Sequence, residues 1–313
     1  GECADIEGIA DVCHKHGIQL FVDEAHGAHL YFSESFPKGA LRLGADAVVM
    51  STHKTLGSLG QSSMLHVNSE LVDIERVDRA LKLVMSTSPS YILMTSLDAA
   101  RHQMALAGRS IMESTFEKAM KLRRLISDIE GIEVMHGCDA AHIMSRRADP
   151  SRIVFSARKI GVSGYELSDM LFEAFGCALE MADAENVVAV VTDGNTGDDI
   201  RRLAEALRSI AEERVKCTGG SAGGRRVCLT GIPETALTPR EAYFGSAEAT
   251  PLNECCNLVC AQTISPYPPG IPLIVPGEII TGEIHRHLVY CRDSKIKVHT
   301  DGCGDLNMIK TLK

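Results

Sequence analysis

The chain has 313 residues, of which 45% are hydrophobic and 23% charged, and its formal net charge is −9 at pH 7. This length predicts two or three domains with a sizeable buried core. An acidic balance without a basic block argues against nucleic acid as the main partner, and no apolar run approaches the roughly 18 residues that a membrane span needs. The eleven cysteines form no C-x-x-C pair, which favours reduced thiols, and therefore a cytoplasmic protein, over disulfides or a zinc site.

The first predicted element is an amphipathic helix that is already under way at the first residues. Ile6, Ile9, Ala10 and Cys13 recur at helical spacing, and Gly17 stands where a helix commonly ends. Because the chain also has no initiator methionine, we expect that it lacks the beginning of a longer protein.

Two short apolar runs follow, and each ends in polar and ionisable residues. Residues 18–22 precede the sequence D-E-A-H at 23–26, and residues 45–50 precede S-T-H-K at 51–54. Such runs, separated by a long crossover, predict neighbouring buried strands of an α/β sheet. Ligands of open parallel sheets bind beyond the carboxyl ends of the strands. A carboxylate and a lysine are therefore expected at one edge of one sheet.

The pattern of elements changes at about residue 130. Before it, helices alternate with strands and end in a long helix at about 92–128. After it come a small α+β pattern with an antiparallel or mixed sheet and a Gly- and Ser-rich stretch typical of a flexible linker. The strands predicted after the change lie at 132–136, 152–156, 177–181 and 187–192. The predicted organisation is three domains and a linker, at 1–128, 129–215, 216–226 (the linker) and 227–313.

Lys54 is the candidate nucleophile of the chain, although any single lysine is most often a solvated surface residue. A lysine amine condenses with aldehydes when desolvation or nearby positive charge favours its neutral form. Pyridoxal phosphate is an aldehyde cofactor that also needs a carboxylate at its pyridinium nitrogen, donors for its phosphate and a small or flat residue against its ring. Asp23, the pair Ser51 and His53, and Ala25 offer these three features.

Four motifs together resemble one known family. V-D-E-A-H-G-A-H at 22–29 and S-T-H-K-T-L at 51–56 resemble fold-type I pyridoxal-phosphate enzymes. S-T-S-P-S-Y at 86–91 and Y-P-P-G-I-P-L-I-V-P-G-E at 267–278 make the chain most similar to the short bacterial form of the ornithine/lysine/arginine decarboxylases. The resemblance implies an α/β, transferase-like large domain in 1–128 that is incomplete at its N-terminus, then a small α+β domain and a C-terminal decarboxylase-type domain.

The resemblance also implies roles for individual residues. Lys54 corresponds to the lysine that holds the cofactor, and Asp23 to the partner of the pyridine nitrogen. Ala25 corresponds to the residue packed under the ring, while Ser51 and His53 match phosphate contacts.

Three further residues complete the predicted site. Thr87 lies in a hydroxyl-rich segment that, in the resembled family, reaches the phosphate from the neighbouring subunit, which implies an obligate homodimer. His26 corresponds to a position near the phenolic oxygen of the cofactor and is a catalytic candidate. Glu278 is our own inference: a carboxylate in a proline-rich loop is suited to the distal cation of a substrate, and a solvated loop glutamate is the open alternative.

The implied function is decarboxylation of a basic amino acid by pyridoxal phosphate, with arginine favoured over lysine and ornithine, in polyamine biosynthesis. The phosphate-binding loop of the family would lie upstream of Gly1. The chain by itself is therefore expected to hold the cofactor poorly and to be inactive.

Three other interpretations compete with this one. D-E-A-H also occurs in nucleic-acid-dependent ATPases, but the required G-x-x-x-x-G-K-[ST] is absent. An α-oxoamine synthase shares D-x-A-H but lacks Y-P-P-G-I-P. A non-catalytic relative that keeps the fold as a regulatory or assembly protein is disfavoured by the intact Asp23 and Lys54. Cofactor absorbance and release of carbon dioxide distinguish these classes.

No metal site is predicted. The pairs His14/His16 and His285/His287 have the spacing of metal ligands but no complementary carboxylate or cysteine. Residues 193–197, D-G-N-T-G, predict a turn followed by a helix N-cap.

Overall fold

The computed structural model describes residues 1–135, 148–217, 231–267, 270–294, 296–302 and 305–313. The chain divides into two compact units, of which the first contains Gly1–Glu180 with Asn186–Ala222 and the second Met181–Glu185 with Gly223–Lys313. The predicted boundary at residue 128 lies inside the first unit. Most of the predicted linker lies outside the described residues, so the division into three domains and a linker stays a prediction.

The first unit begins with a three-stranded sheet and its flanking helices. The elements are α1 (Ile6–Lys15), β1 (Phe21–Asp23), β2 (Ala47–Met50), α2 (Thr52–Thr55), β3 (Met64–Val67), α3 (Ile74–Val84) and α4 (Tyr91–Ser127). Strands β1 and β2 pair in parallel, and β2 pairs with β3 in the antiparallel direction. Two short 3₁₀ helices, Ala28–Tyr31 and Ala40–Leu43, lie in the connection from β1 to β2. The prediction that β1 and β2 are neighbours in an α/β sheet is confirmed.

Strand β1 is shorter and more exposed than predicted. Asp46 accepts the backbone N–H of Leu20 on its side chain at 2.7 Å, so this group does not join the strand ladder and β1 starts only at Phe21. Phe21 is 59% exposed, whereas Val48 at the centre of β2 is fully buried. The prediction of a buried strand therefore holds for β2 and is wrong for β1.

The sheet has two different faces. One face of β2 joins a buried apolar cluster that consists of Ala28, Ala40, Ala45, Val48 and Met50. The other face and helix α3 line an apolar groove of about 570 Å³, with Val49, Leu65, Leu81 and Val84 among its walls. Val49 and Leu65 are 41% and 42% exposed. This apolar groove is thus open in the chain as it stands.

A second sheet belongs to the later part of the first unit. The elements of this part of the chain are β4 (Glu133–Val134), β5 (Arg152–Ser156), α5 (Gly164–Phe175), β6 (Met181–Ala182), β7 (Val187–Val190) and α6 (Gly197–Cys217). Strand β6 is assigned to the second unit. Strand β5 pairs in the antiparallel direction with both β4 and β7. Ile153 and Phe155 of β5 are fully buried, as are Leu171 of α5 and Leu207 of α6. The α+β character predicted for this part is confirmed.

The strand predicted at 177–181 is wrong in its position, because β6 begins only at Met181. Helix α5 ends at Phe175 and is capped by Gly176, whose φ of 63° lies in the left-handed region. The N–H of Cys177 then donates back to the carbonyl of Leu171 at 2.9 Å. The residues that follow α5 therefore close the end of the helix and are not free to extend as a strand. The predicted N-cap of α6 is confirmed, since the Thr196 hydroxyl accepts the N–H of Asp199.

The second unit pairs its strands in two small antiparallel ladders. Its elements beyond β6 are α7 (Pro239–Phe244), β8 (Ala247–Pro251), β9 (Ile264–Pro266), α8 (Gly282–Asp293), β10 (Val298–Thr300) and β11 (Met308–Leu312). Strand β8 pairs with β11, and β9 pairs with β10. Leu252, Ile264, Leu288 and Ile309 are among the buried residues of its core. Within the described residues, no helix is long and apolar enough to cross a membrane.

Candidate active site

The ends of β1 and β2 bring the two polar motifs to one edge of the sheet. Asp23, the last residue of β1, pairs with Val49 near the end of β2. The N–H of Glu24 donates to the carbonyl of Val49 at 2.9 Å, and the N–H of Ser51 donates to the carbonyl of Ala25 at 3.2 Å. These bonds continue the parallel pairing past both strand ends. The expected meeting of D-E-A-H and S-T-H-K at one edge is thus observed.

Lys54 and His26 contact each other at this edge. Lys54 lies on the single turn of α2, and its Nζ is 3.3 Å from Nε2 of His26. Both side chains are solvent-exposed. The amine and the imidazole are therefore accessible to a ligand that approaches the edge from solvent.

Arg152, at the start of β5, forms the other contact of His26. Its Nη2 lies 2.9 Å from Nδ1 of His26, although 126 residues separate the two in the sequence. The Arg152 side chain is only 8% exposed, and its Nε lies 3.5 Å from a carboxylate oxygen of Asp149. Arg152 could not be singled out from the sequence, because a single arginine at the start of a predicted strand has no distinguishing pattern.

Asp149 holds a buried polar cluster beside the site. One of its oxygens lies 3.1 Å from Nε2 of His29, and the other accepts the hydroxyl and the N–H of Ser151 at 2.6 and 2.9 Å. Burial raises the pKa of Asp149, but the charge and hydrogen bond of His29, the bond from Ser151 and the charge of Arg152 outweigh burial and lower it to about 2. Asp149 is therefore an ionised carboxylate that pairs with Arg152 and supports its position.

The electrostatic surroundings favour a neutral imidazole at His26. Burial lowers its pKa, and the positive charges of Arg152 and Lys54 lower it further, while the charges of Glu180 and Asp23 act in the opposite direction with less effect. A neutral imidazole carries one N–H donor and one acceptor nitrogen, so His26 can both give and take a hydrogen bond.

Asp23 and Ala25, the residues predicted to contact the cofactor ring, lie next to each other at the end of β1. One oxygen of Asp23 accepts the N–H of Ala25 at 3.0 Å, which fixes the carboxylate against its own loop. Asp23 is exposed and Ala25 half-buried. A carboxylate next to a small side chain is the pair that a flat, protonated heteroaromatic ring needs.

The two predicted phosphate contacts, Ser51 and His53, differ in whether their side chains are already hydrogen-bonded. The Ser51 hydroxyl makes no capping bond to α2, although Ser51 is its N-cap residue. Nδ1 of His53 lies 2.7 Å from the carbonyl of Ser62, and because a carbonyl only accepts, this nitrogen carries the proton. Nε2 of His53 can therefore donate to a phosphate only when the ring holds both protons.

The remaining predicted residues lie elsewhere in the chain. Thr87 is exposed in the segment between α3 and α4. Glu278 belongs to the second unit, where one of its carboxylate oxygens accepts the N–H of Val275 at 2.9 Å. Its role toward a substrate stays a prediction, as does that of Thr87 in a partner subunit.

Glu24, the second residue of D-E-A-H, has a structural place that the sequence did not reveal. It accepts the phenolic O–H of Tyr31 at 2.7 Å and the N–H of Ala40 at 2.8 Å. Burial raises its pKa, and the bonds from Tyr31 and Ala40 oppose this rise. Glu24 therefore fastens the connection between β1 and β2, and thereby the edge that carries the site.

This set of side chains fits pyridoxal phosphate. Lys54 offers an amine for the aldehyde, Asp23 a carboxylate for the ring nitrogen, His26 an imidazole beside the amine, and Ser51 a free hydroxyl. The described residues contain no group of three or more His, Cys, Asp or Glu side chains that could hold a metal ion.

Comparison with known proteins identifies the family. The model of the Orn/Lys/Arg decarboxylase major domain matches residues 1–155, and that of the C-terminal domain of the same family matches residues 225–298. The chain belongs to the Orn/Lys/Arg decarboxylase family. An arginine decarboxylase of Bacillus subtilis (strain 168) is 35% identical over 317 residues, which cover 100% of this chain and 64% of the relative. The chain thus spans less than two thirds of that relative.

Solved structures share the fold. Lysine decarboxylase A from Pseudomonas aeruginosa superposes with a TM-score of 0.80 at 23% identity, covering 100% of this chain and 56% of that one. Sphingomonas wittichii serine palmitoyltransferase gives a TM-score of 0.51 at 18% identity over 69% of this chain and 53% of its own. The predicted fold class, fold-type I of the pyridoxal-phosphate enzymes, is confirmed.

Proposed function

We propose that this chain carries the cofactor lysine of a pyridoxal-phosphate-dependent decarboxylase that converts a basic amino acid to its amine and carbon dioxide. The observation that carries the proposal is the placement of Lys54 and His26 3.3 Å apart at the sheet edge where β1 ends in Asp23. Arginine is the favoured substrate, ahead of lysine and ornithine. The named arginine decarboxylases reach 35% and 36% identity, against 26% for a lysine decarboxylase of Pseudomonas aeruginosa.

Each residue of the proposed site has a separate role. Lys54 would hold the cofactor through its amine, which is the group that can condense with an aldehyde. Asp23 keeps the proton on the ring nitrogen. Bound pyridoxal phosphate supplies an electron sink for the pair of electrons left by departing carbon dioxide. Lys54 or His26 then delivers one proton to the α-carbon, which balances the loss of the carboxylate.

The surroundings of the site support three further parts of the proposal. The exposure of Thr87 is compatible with a contact to a cofactor held by a second copy of the chain, so the enzyme is proposed to be a homodimer. Amines of arginine, lysine and ornithine are polyamines or their precursors, and we place the reaction in cytoplasmic polyamine biosynthesis. Asp23, His26 and Lys54 are all exposed, which supports weak cofactor retention and inactivity of this chain alone.

The first experiment traps the lysine. Incubation with pyridoxal phosphate, reduction by borohydride and peptide mass spectrometry are expected to find the cofactor on Lys54. Lys54→Ala should remove this label, whereas Lys82→Ala, which changes an exposed lysine of α3, should keep it. Labelling spread evenly over surface lysines would contradict the proposal.

The second experiment tests the reaction. The full-length polypeptide is incubated with arginine, lysine or ornithine, and amine and carbon dioxide are measured together. Equimolar products, with arginine the fastest, are expected. Label on Lys54 without carbon dioxide from any of the three would favour the non-catalytic alternative, and release of coenzyme A from an acyl donor would favour an α-oxoamine synthase.

A further inference from the structure

The contact between Arg152 and His26 has a direction that chemistry fixes. A guanidinium has only N–H donors and does not lose its charge in proteins. Since Nη2 of Arg152 lies 2.9 Å from Nδ1 of His26, the imidazole nitrogen must accept this hydrogen bond. Nδ1 of His26 is therefore unprotonated.

The single proton of the neutral ring must then lie on the other nitrogen. Nε2 of His26 faces Nζ of Lys54 at 3.3 Å. An N–H at Nε2 can donate to the amine of Lys54 when that amine is neutral, because a neutral amine has a lone pair and an ammonium group has none. The chain of contacts from Arg152 through His26 thus presents an N–H donor toward Nζ of Lys54.

Arg152 is suited to this role because its charge is already compensated. Its side chain is buried beside Asp149, and its backbone carbonyl accepts a hydrogen bond from Nη2 of Arg123 at 3.1 Å. An arginine bound to a carboxylate inside the protein is poorly placed to take the carboxylate of a substrate as well. Firm binding of the substrate carboxylate by an arginine would also stabilise the ground state that a decarboxylase must destabilise.

We propose that Arg152 is a positioning residue that holds His26 in the neutral tautomer with its proton on Nε2, directed at Lys54. The part that concerns the use of Lys54 rests on the proposed function, whereas the tautomer does not. The groups that face His26 are Arg152, Lys54, Glu180 and Asp23. Burial lowers the pKa of His26, and the charge of Arg152 lowers it further, so the ring is neutral, as the tautomer requires.

The tautomer is measured directly by nitrogen NMR of histidine-labelled chain without cofactor. The His26 signals are identified by their loss in His26→Gln. We expect Nδ1 of His26 to have the chemical shift of an unprotonated ring nitrogen and Nε2 that of a protonated one. A protonated Nδ1 in the unsubstituted chain overturns the proposal, and this result needs no Arg152 variant.

The role of Arg152 in setting the His26 tautomer is tested with Arg152→Met, which keeps the aliphatic stem of the side chain and removes its N–H donors. We expect the two His26 signals to move toward the averaged shifts of exchanging tautomers and the ring to titrate at higher pH. Arg109→Met, which removes one exposed arginine of α4, should leave both signals unchanged. A spectrum of Arg152→Met identical to that of the unsubstituted chain overturns the proposal.

The effect on Lys54 has its own readout. Reductive methylation with formaldehyde consumes neutral amines, and mass spectrometry follows Lys54 against Lys82 as an internal reference. Loss of one net hydrogen bond should slow the modification of Lys54 in Arg152→Met by roughly three- to tenfold. An unchanged rate beside an altered tautomer overturns the link to Lys54. Neither measurement uses pyridoxal phosphate, so failure of the decarboxylase assignment is distinguishable from failure of this inference.

Discussion

His26 and Lys54 face each other with Nε2 and Nζ 3.3 Å apart, although 28 residues separate them. The parallel register of β1 and β2, in which Phe21 pairs with Ala47 and Asp23 with Val49, creates this contact. A shift of one residue in that register would turn every side chain of the shifted strand to the opposite face of the sheet. The chemistry of the edge therefore depends on residues of the two strands that touch no ligand.

Asp23→Asn should weaken binding of pyridoxal phosphate while leaving the fold intact. The amide oxygen can still accept the N–H of Ala25, but it cannot supply the negative charge that a protonated ring nitrogen requires. A charge-assisted hydrogen bond contributes about 1.5–3 kcal/mol, so affinity should fall by roughly ten- to a hundredfold. Titration followed by cofactor absorbance measures this change. Asp11→Asn, an exposed substitution on α1, is the control and should bind as the unsubstituted chain does.

Asp149→Asn should destabilise the protein and alter its response to acid. The pKa of Asp149 is lowered from 3.8 to about 2 in the folded chain. Its contribution to stability is therefore fully present above pH 3.8 and is lost as the pH falls toward 2. Removing the carboxylate from the buried pair with Arg152 should cost about 3–5 kcal/mol at neutral pH.

Urea unfolding at a series of pH values, followed by circular dichroism, checks both parts of this expectation. The unsubstituted chain should lose stability between pH 3.8 and about 2 more steeply than the variant. Asp98→Asn, at an exposed pair with Arg101, should change the free energy of unfolding by less than about 1 kcal/mol. Equal acid profiles for the chain with and without Asp149 would contradict the assignment of its ionised state.

Tyr31→Phe should destabilise the connection between β1 and β2, and more so at higher pH. The variant leaves a partly buried oxygen of Glu24 without its donor, at a cost of about 1 kcal/mol. Burial has already raised the pKa of Glu24 above 4.5, and loss of the Tyr31 bond raises it further. A raised acid pKa means that stability falls as the pH rises above 4.5 toward the folded value.

The free energy of unfolding of this variant is therefore compared at pH 5 and pH 8. A loss that is the same at both values, or smaller at pH 8, would argue against an ionised Glu24 as the partner. Tyr243→Phe, which changes an exposed tyrosine of α7, should be neutral at both values.

Three thiols of the second unit should resist chemical labelling until that unit opens. Cys255, Cys260 and Cys291 are fully buried, and burial raises the pKa of each to about 11. Both effects slow reaction, since the thiolate is the reactive form. A thiol reagent at pH 8 with mass spectrometry should modify the partly exposed Cys256 first. Rapid modification of all four would contradict this packing.

The strand ends could be predicted from the sequence because they rest on local patterns. An apolar run followed by D-E-A-H, and another followed by S-T-H-K, need only the rule that strand ends of a parallel pair share an edge. The assignment of Asp23 and Lys54 to one edge required nothing from the rest of the chain.

The roles of Arg152 and Asp149 could not be predicted from the sequence, for a physical reason. Their contacts with His26 and His29 span 126 and 120 residues. Such pairs arise from tertiary packing, which adds no periodic pattern around either partner. The same limit explains the misplaced strand after α5, where the left-handed Gly176 and a backbone bond from Cys177, and not side-chain alternation, decide where the strand starts.

The open apolar groove beside β2 and α3 has a practical consequence for anyone who studies this chain. Hydrophobic fluorescent dyes bind such surfaces, so they will report a bright signal from the native chain before any heating. Melting curves recorded with these dyes would start high and understate the transition. The chain contains no tryptophan, which removes the usual intrinsic probe as well. Far-ultraviolet circular dichroism or tyrosine emission is therefore the readout of choice for its stability.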